Sequence, residues 1–558
     1  MPSKTNFTSS ASSEMEKKNQ VLDLESLFSI SLIIYLVAGI ILVRRLQLEG
    51  LNANTIGYLT VALEYSRGNF YNAVNGFWPP LISWLMVPFI KLGVTPLLSA
   101  RIIMLITGFF LLIAVRKFSY RFDISEGVRT AILLAFVPVT LNYITLVFPD
   151  LLMLYFLVVY LNILFKDDYH ARLSGGILCG VTGALAYLGK HYALPFFVSH
   201  FFMINVFHFF RATAKEQRKN IVRNAVAGMV VFTIISGAWI AAMGIKYGYF
   251  TIGTAGSYGI AKLGPGMFTK PVFGEPENSD PVYYAGLLKP SYETALSVWD
   301  DPSYVSGKYF GHKKTDFRSA VVFYAEYAAG NAYRIIVEVC TRFFSLLSLP
   351  ILLVYVFLCI KPLNKLILRS DILFPVFTII LYTGGLTIVV VSDDTIRYFW
   401  LDNILLFLMG GHILTVLFRS EFFSAKARQN VLLVFLIGSF LFVPFKDIVN
   451  KPSRGENNYI MSKEIERQYN IKGNIASNDR WGDTLQLTYY LNMDKVGTED
   501  RIYYYGMPKK NQGDVEMLKE LKSHDIQYYL VWNGRSFLPG YQDITKGSIQ
   551  DLKIYSLE

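Results

Sequence analysis

The sequence contains few charged residues for its length. Asp, Glu, Lys and Arg make up 17% of the 558 residues, and 53% are hydrophobic, whereas soluble domains carry about 25% charged residues. This shortage of charge excludes a chain built only of ordinary soluble domains. The sequence instead has a series of apolar runs near the ~20 residues with which a helix crosses a bilayer. We therefore predict a polytopic α-helical membrane protein.

Cysteine is almost absent, which excludes a second class of protein. Cys179, Cys340 and Cys359 all fall inside apolar runs. The sequence therefore offers no disulfide framework of the kind that stabilises small secreted domains. We interpret the three cysteines as small core hydrophobes.

Acidic residues are outnumbered by basic ones, and the formal net charge is +11. This excess does not indicate binding to nucleic acid, because the basic residues are clustered between apolar runs in alternate loops. That distribution is the one that membrane topology requires. We expect membrane lipid to surround the chain and no nucleic acid to bind it.

About eleven transmembrane helices satisfy the pattern of basic loops if the N-terminus is cytoplasmic. The run WPPLISWLMVPFIKLG, residues 78–93, is short and opens with two prolines, so we predict an interfacial or re-entrant helix there. The predicted spans are 27–43, 97–115, 130–147, 151–165, 173–189, a sixth that ends before Arg211, 224–245, 335–360, 372–391, 398–417 and 430–445.

These spans divide the chain into three parts. We predict a disordered cytoplasmic tail over 1–26, a transmembrane module over 27–445 with external loops at 45–96 and 246–334, and an external soluble α/β domain over 446–558. In the last part, GNIASND, IQYYLVW and KIYSL predict strands and DVEMLKELKSH predicts a helix. The protein is then a multi-pass protein of the cell membrane with its C-terminal domain on the external or periplasmic side.

The predicted topology places a set of polar residues at the external membrane face, where ionisable groups near helix ends are candidates for function. Each has a structural alternative: Lys190 could extend to lipid headgroups, Asp150 could cap a helix, Trp78 could be an interfacial aromatic, and Arg397 could pair with Asp393 or Asp394. Together, two cations and several carboxylates on one face suit an anionic phosphate headgroup. The set comprises Asn54, Tyr58, Trp78, Asp150, Lys190, His191, Asp393, Asp394 and Arg397.

The order of these motifs resembles the GT-C glycosyltransferase superfamily, in the branch with protein O-mannosyltransferases and aminoarabinose transferases. In that branch the first external loop carries an acidic residue about four positions before a tyrosine, then a Pro-Pro-Leu helix. The matching segments here are NTIGY from Asn54 to Tyr58, WPPL from Trp78, FPDLLMLYF with Asp150, ALAYLGKHYALP with Lys190, RYFWLDNILL from Arg397-Tyr398, the loop segments TAGSYG and SVWDDPSYV, and the tail IASNDRWGDTLQLTYYL. The proline that usually follows the Arg-Tyr pair is absent.

The resemblance implies an enzyme that takes a sugar from a polyprenyl-phosphate-linked donor and inverts its anomeric carbon. The acceptor would be a hydroxyl of a protein, lipid or glycan. A carboxylate of the first loop would act as general base, and Lys and Arg would stabilise the leaving phosphate without a metal or other cofactor. Asp150 and Asn54 would then be catalytic, and Tyr58, Trp78, Lys190, His191, Arg397 and Tyr398 would bind substrate.

Asn54 departs from the family pattern, because an amide cannot accept a proton. Three alternatives stay open: Asp150 is the base while Asn54 orients the acceptor, another acid such as Glu64 has this role, or the protein is weakly active or inactive. A transporter or flippase of lipid-linked sugars is a further alternative, although such proteins usually have internal repeats and charged residues near the bilayer midplane. A non-catalytic binder of lipid-linked sugars is another alternative. It stays open because Asn54 cannot act as a base.

Overall fold

The computed structural model describes residues 8–255, 286–303, 345–360, 370–388, 396–450 and 454–557, with short gaps inside these ranges, and isolated residues between 322 and 335. The first half is a series of helices. In chain order they are α1 (Thr8–Arg45), α2 (Ala53–Arg67), α3 (Phe70–Ala73), α4 (Leu81–Lys91), α5 (Pro96–Ser119), α6 (Glu126–Ile144), α7 (Asp150–Leu164), α8 (Leu173–Gly189), α9 (Ala193–Arg211) and α10 (Lys215–Tyr247).

Further helices follow in the second half, and the last three of them belong to the C-terminal part. They are Ser348–Ile360, Ser370–Ile388, Trp400–Phe418, Lys426–Val449, Arg454–Tyr469, Trp481–Leu491 and Asp514–Ser523. Among the described residues, seven helices are long and apolar enough to cross a membrane: Glu25–Arg45, α5, α6, α9, α10, Arg397–Phe418 and Lys426–Val449. Five shorter apolar helices accompany them: α4, α7, α8, Ser348–Ile360 and Ile372–Thr387. The predicted class, a polytopic α-helical membrane protein, is confirmed, and the count of eleven spans stays a prediction.

Local sequence signals fix the helices of the first loop. The side chain of Asn52 caps α2 by accepting a hydrogen bond from Thr55 N at 3.0 Å. Gly68 ends this helix in the left-handed region with a φ of 83°. α4 follows Pro80 and has 11 residues, so it is about 16 Å long and reaches about half of the hydrocarbon thickness. This length supports the predicted interfacial or re-entrant helix.

Glycines allow α8 and α10 to approach closely. A Cβ atom added to Gly180 would lie 2.2 Å from the carbonyl oxygen of Gly228, and one added to Gly176 would lie 2.2 Å from the carbonyl oxygen of Asn224. Small residues at such positions are the usual means of packing membrane helices backbone to backbone. The close packing of α8 on α10 therefore fixes the end of α8, which is followed by the turn with Lys190.

A four-stranded sheet forms the core of the C-terminal part, with β1 (Gly473–Ser477), β2 (Ile502–Tyr504), β3 (Tyr528–Trp532) and β4 (Leu552–Ser556) in the order β2-β1-β3-β4. β1 pairs in parallel with β2 and β3, and β4 is antiparallel to β3. The three predicted strands and the predicted helix are confirmed. β2 and the helices Arg454–Tyr469 and Trp481–Leu491 are additional elements that the sequence pattern did not indicate.

Two boundaries differ from the prediction. α1 begins at Thr8, so a helix extends into the segment 1–26 that we expected to be disordered, because helix-forming residues there continue the helix of the span. α10 begins at Lys215, so the basic cluster over 215–223 forms the first turns of a helix rather than a loop. In the predicted eighth span, 335–360, residue 335 and Ser348–Ile360 are helical, residues 345–347 are not, and residues 336–344 lie outside the described residues.

Candidate active site

Asp150 is the centre of the candidate site. It begins α7 and its side chain is fully enclosed. Its Oδ1 accepts a hydrogen bond from the hydroxyl of Tyr192 at 3.1 Å. Its Oδ2 lies 3.6 Å from Lys190 Nζ and 3.7 Å from Arg397 Nε. The ends of α7, α8 and the Trp400–Phe418 helix therefore bring together three residues that the sequence placed on one membrane face.

Two cations lie side by side in the site. Burial alone would lower the pKa of Lys190, but Asp150 and the neighbouring tyrosines outweigh it and raise this pKa above its ordinary value. Arg397 is charged at any physiological pH, and its side chain is only 6% exposed. Among the described residues both cations approach the same carboxylate, and two adjacent cations can bind an anionic group.

α2 forms a second wall of the site. The hydroxyl of Thr55 donates to Val147 O at 3.2 Å, which holds the start of α2 against the turn before α7. Lys190 Nζ lies 5.5 Å from the centroid of the Tyr58 ring. Burial raises the pKa of Tyr58 to about 12, so its hydroxyl is a neutral donor. Asn54 is half-buried one turn before Tyr58, and residues four apart share a helix face.

Trp78 is enclosed by protein, which rules out the interfacial aromatic alternative for this residue. It is 2% exposed and packs edge-to-face on Tyr58 with ring centroids 5.0 Å apart. Its indole N–H donates to Trp299 O at 3.0 Å. Trp78 therefore joins the site to the segment 286–303.

His191 and Tyr398 flank the three charged residues. Burial, aided by Lys190, lowers the pKa of His191 to about 3, so its imidazole adds no charge to the site. Its ring lies against Gly253, whose φ is 148°, and a Cβ there would lie 2.4 Å from His191 Nδ1. Tyr398 packs edge-to-face on Tyr192 with centroids 5.3 Å apart. Asp393 and Asp394, the other predicted partners of Arg397, lie outside the described residues.

Glu64, the alternative base, lies at the other end of α2. It is six residues from Tyr58, or about 9 Å along the helix. Its carboxylate is 1% exposed and accepts from Arg67 at 3.1 Å, Asn69 at 2.9 Å and Thr294 at 2.8 Å. These three partners give Glu64 a structural role in holding the segment 286–303 on α2.

A buried ion pair fixes the same segment on α10. Lys246 Nζ lies 2.8 Å from Asp301 Oδ2, and both side chains are almost fully buried. The Tyr247 hydroxyl donates to Asp301 at 2.9 Å and accepts from Gly76 N at 2.9 Å. Removing one partner of such a pair leaves a buried charge uncompensated. The segment is therefore an integral part of the structure around the site.

Asp300, next to this ion pair, is expected to make the stability of the protein depend on pH. Burial raises the pKa of Asp300 to about 8, against the effect of the Leu296 N–H that donates to it at 2.8 Å. The folded state then holds a proton that the unfolded state releases above about pH 4. The stability that this group contributes is complete below about pH 4 and is lost as the pH rises to about 8.

Asp300→Asn removes this titration while keeping an acceptor for Leu296 N. The variant should match the wild type near pH 4 and exceed its stability near pH 8, on the order of a few kcal/mol. The measurement is the midpoint of thermal unfolding from pH 4 to pH 9, with the exposed Asp551→Asn as control. Parallel curves for Asp300→Asn and wild type would show that Asp300 titrates normally.

Some neighbours of the site were not predicted from the sequence. Tyr192 holds Asp150, Phe148 lies under Arg397 with the guanidinium 4.0 Å from its ring centroid, and Trp299 covers Trp78. Phe148, Tyr192 and Trp299 lie inside the segments FPDLLMLYF, ALAYLGKHYALP and SVWDDPSYV that carry the resemblance, but the resemblance gave these aromatic residues no role. Aromatic residues are too frequent in this chain for a place in these segments to select them.

Comparison with known proteins gives both a family match and a fold match. Residues 78–240 match the family model of the dolichyl-phosphate-mannose-protein mannosyltransferases. The fold is similar to the oligosaccharyltransferase of Archaeoglobus fulgidus in its apo form, with a TM-score of 0.55 and 11% identity over 91% of this chain and 69% of that chain. Comparison with the curated proteins finds no match.

Two further solved structures are similar. The archaeal oligosaccharyltransferase AglB from Archaeoglobus fulgidus, in complex with an inhibitory peptide and a dolichol-phosphate, gives a TM-score of 0.50 at 10% identity over 91% of this chain and 69% of that chain. ArnT from Cupriavidus metallidurans bound to undecaprenyl phosphate gives a TM-score of 0.45 at 11% identity over 94% of this chain and 97% of that chain. At these identities the structural similarity concerns the fold.

Proposed function

Because this chain has the fold of the GT-C membrane glycosyltransferases, we propose that it transfers a sugar from a polyprenyl-phosphate-linked donor to a hydroxyl acceptor. Two comparisons support a lipid-phosphate donor: the mannosyltransferase family model that matches residues 78–240, and the dolichol-phosphate in the complex of AglB. The acceptor is a protein, lipid or glycan at the external membrane face. The alternating basic loops of the sequence support that orientation.

The observation that carries the proposal is the pair of cations around Asp150. Lys190 and Arg397 approach the same carboxylate oxygen, at 3.6 and 3.7 Å, so two buried cations lie side by side. A phosphate group placed beside them would accept charge-assisted hydrogen bonds from both side chains. Tyr58, Trp78, His191 and Tyr398 enclose this position and would contact the donor.

The reaction follows from this arrangement. The acceptor oxygen forms a bond to the anomeric carbon from the side opposite the phosphate, the bond from that carbon to the phosphate oxygen breaks with inversion, and the proton of the hydroxyl passes to water or to a carboxylate of the site. The electron pair remains on the polyprenyl phosphate, where Lys190 and Arg397 stabilise it. The two side chains supply the positive charge at the leaving group, so we expect turnover without an added metal or cofactor.

The geometry favours a positioning role for Asp150. Its carboxylate is fully enclosed, and its two oxygens face Tyr192 on one side and the two cations on the other. A general base must come within hydrogen-bond reach of the acceptor hydroxyl, either directly or through one water, although such contacts can form only once the substrate binds. The proposal therefore gives Asp150 the task of holding Lys190 and Arg397, with proton abstraction as the alternative.

Asn54 occupies the face of α2 that is turned towards the site, where the family has an acid. Asn54→Asp is expected to increase sugar transfer at least tenfold, because a positioned general base typically contributes about 10²–10⁴-fold. Hydrolysis of the donor measures this without knowledge of the acceptor, since water can replace the hydroxyl. Asn52→Asp, which places a carboxylate at the cap of the same helix, is the matched control.

If Asn54→Asp and Asn52→Asp hydrolyse the donor at the wild-type rate, position 54 does not face the reacting carbon. If the wild type binds the donor and only Asn54→Asp turns it over, the natural protein is a non-catalytic binder with a degenerate active site. That second outcome is the alternative that Asn54 itself favours.

Native mass spectrometry with a panel of polyprenyl-phosphate sugars tests the proposal directly. Selective retention of one donor over its bare polyprenyl phosphate supports the assignment and identifies the sugar. If no member of the panel is retained, the site does not serve a lipid-phosphate donor, and transport of another substrate becomes the better hypothesis.

A further inference from the structure

A second polar pocket lies between α2 and the C-terminal domain. It encloses about 60 Å³, several times the 10–15 Å³ that one water needs, which suits a small polar group. Its walls come from α2, the segment 286–303, the Trp481–Leu491 helix and the residues before β2. They are Thr60, Leu63, Glu64, Arg67, Pro96, Thr294, Leu296, Tyr489, Asn492, Met493 and Arg501.

This pocket is separate from the candidate active site. Tyr58 and Thr60 are two residues apart on α2, so their side chains project about 200° apart around the helix axis. The active-site residues of α2 therefore lie on one face, and the pocket residues Thr60, Glu64 and Arg67 lie on another. The chemistry of the pocket is independent of whether the chain transfers a sugar.

Arg501 is buried in the pocket and forms no ion pair with the described residues. It is 4% exposed, its Nη1 donates to Thr294 O at 2.9 Å, and its Nε has no hydrogen-bond partner. In the part of the chain that the structure describes, no carboxylate lies within ion-pair distance of Arg501. The carboxylate of Glu64 is already occupied by Arg67, Asn69 and Thr294.

Asp300, the second acid whose charge acts on Arg501, does not neutralise it. Asp300 has a pKa of about 8 because of burial, so it is largely protonated at neutral pH. Arg67 adds a second guanidinium, which is about one-third exposed at the mouth of the pocket. A buried guanidinium without a close ion pair is costly, and an anion from solution would supply such a partner.

Tyr489 provides a hydroxyl group that could donate a hydrogen bond to a ligand. It lines the pocket and is 3% exposed, and its hydroxyl has no hydrogen-bond partner among the described residues. A buried hydroxyl without a partner costs about 1–3 kcal/mol. We propose that this pocket binds a carboxylate or phosphate group through Arg501, Arg67 and the hydroxyl of Tyr489. The bound anion would link α2 to the C-terminal domain.

The test uses the full-length protein carrying Lys190→Ala and Arg397→Ala, so that phosphate cannot bind at the candidate active site. The midpoint of thermal unfolding is measured against the concentration of inorganic phosphate, and separately of acetate, at constant ionic strength. An anion that binds the folded state raises this midpoint in a saturable way. We expect saturation in this background.

Two added substitutions separate binding from folding. Tyr489→Phe removes a hydroxyl without a partner, so it should not lower the midpoint without phosphate, and it should weaken phosphate binding about tenfold. Arg501→Gln should abolish the saturable rise. Tyr490→Phe is the matched control, because that hydroxyl donates to Leu48 O at 2.9 Å: it should lower the midpoint and leave the affinity for phosphate unchanged.

Absence of a saturable rise in the Lys190→Ala, Arg397→Ala background would overturn the proposal, as would equal phosphate affinities for Tyr489→Phe and the background protein. The phosphate titration, repeated with the protein in nanodiscs, distinguishes two sources of the anion. Either source is consistent with an anion-binding pocket. If phosphatidic acid in the bilayer competes with phosphate, the natural ligand is a lipid headgroup. If it does not, the ligand is a free anion or an anionic group of a soluble molecule.

Discussion

Lys190→Ala is expected to weaken binding of the polyprenyl-phosphate donor by about one to two orders of magnitude. A hydrogen bond to a charged group is worth about 1.5–3 kcal/mol, and every 1.4 kcal/mol is a factor of ten in Kd. The side chain of Lys190 is 14% exposed, so salt screens it little and the loss should persist at high ionic strength. Arg397→Ala should have an effect of the same size.

The measurement is retention of the bare polyprenyl phosphate in native mass spectrometry, titrated to give a Kd for each variant. Using the lipid phosphate without its sugar isolates the contribution of the phosphate. Lys91→Ala is the control, because Lys91 is an exposed cation at the end of α4, in the same loop as Tyr58. Equal Kd values for wild type, Lys190→Ala and Arg397→Ala would show that the two cations do not bind the phosphate.

Asp150→Asn is expected to reduce turnover about a hundredfold or more while leaving the protein folded. The amide oxygen can still accept from Tyr192, so the hydrogen bond of 3.1 Å is retained. The negative charge that holds Lys190 and Arg397 in place is lost, and a small misplacement of catalytic groups can cost about 10²-fold. Binding of the bare lipid phosphate should persist, because both cations are still present.

The rate of donor hydrolysis and the Kd for the donor, measured on the same preparation of Asp150→Asn, separate a loss of turnover from a loss of binding. Thermal unfolding of the variant controls for loss of structure. Turnover within about twofold of wild type would remove Asp150 from both its proposed role and the alternative of general base. Loss of lipid-phosphate binding together with turnover would mean that Asp150 organises the whole binding site.

The sequence was sufficient to bring the charged residues together. Asp150, Lys190 and Arg397 each lie at the end of an apolar run, and alternation of basic loops puts these ends on one side of the bilayer. The structure places the three within ion-pair distance, while their roles stay predictions. The match of the mannosyltransferase family model covers less than half of the chain, and it includes Asp150 and Lys190 but not Arg397.

Contacts that depend on chain folding outside the membrane could not be predicted from the sequence. Trp78 looks like an interfacial aromatic in the sequence, but the segment 286–303 folds over it and accepts its N–H. In the sequence Glu64 is a possible general base, but in the structure its carboxylate accepts a hydrogen bond from Thr294 of that segment. The start of α1 differs from the prediction for another reason, because the polar composition of the N-terminal segment hides its propensity to form a helix.

The three indoles at the junction of membrane module, segment 286–303 and C-terminal domain provide an intrinsic optical probe. Trp78 and Trp299 have ring centroids 5.6 Å apart, and Trp299 and Trp481 have centroids 5.4 Å apart, both edge-to-face. Chromophores this close couple electronically and give a near-ultraviolet circular dichroism signal that depends on fixed packing. Release of any one of these parts would therefore be visible in the spectrum of the unlabelled protein.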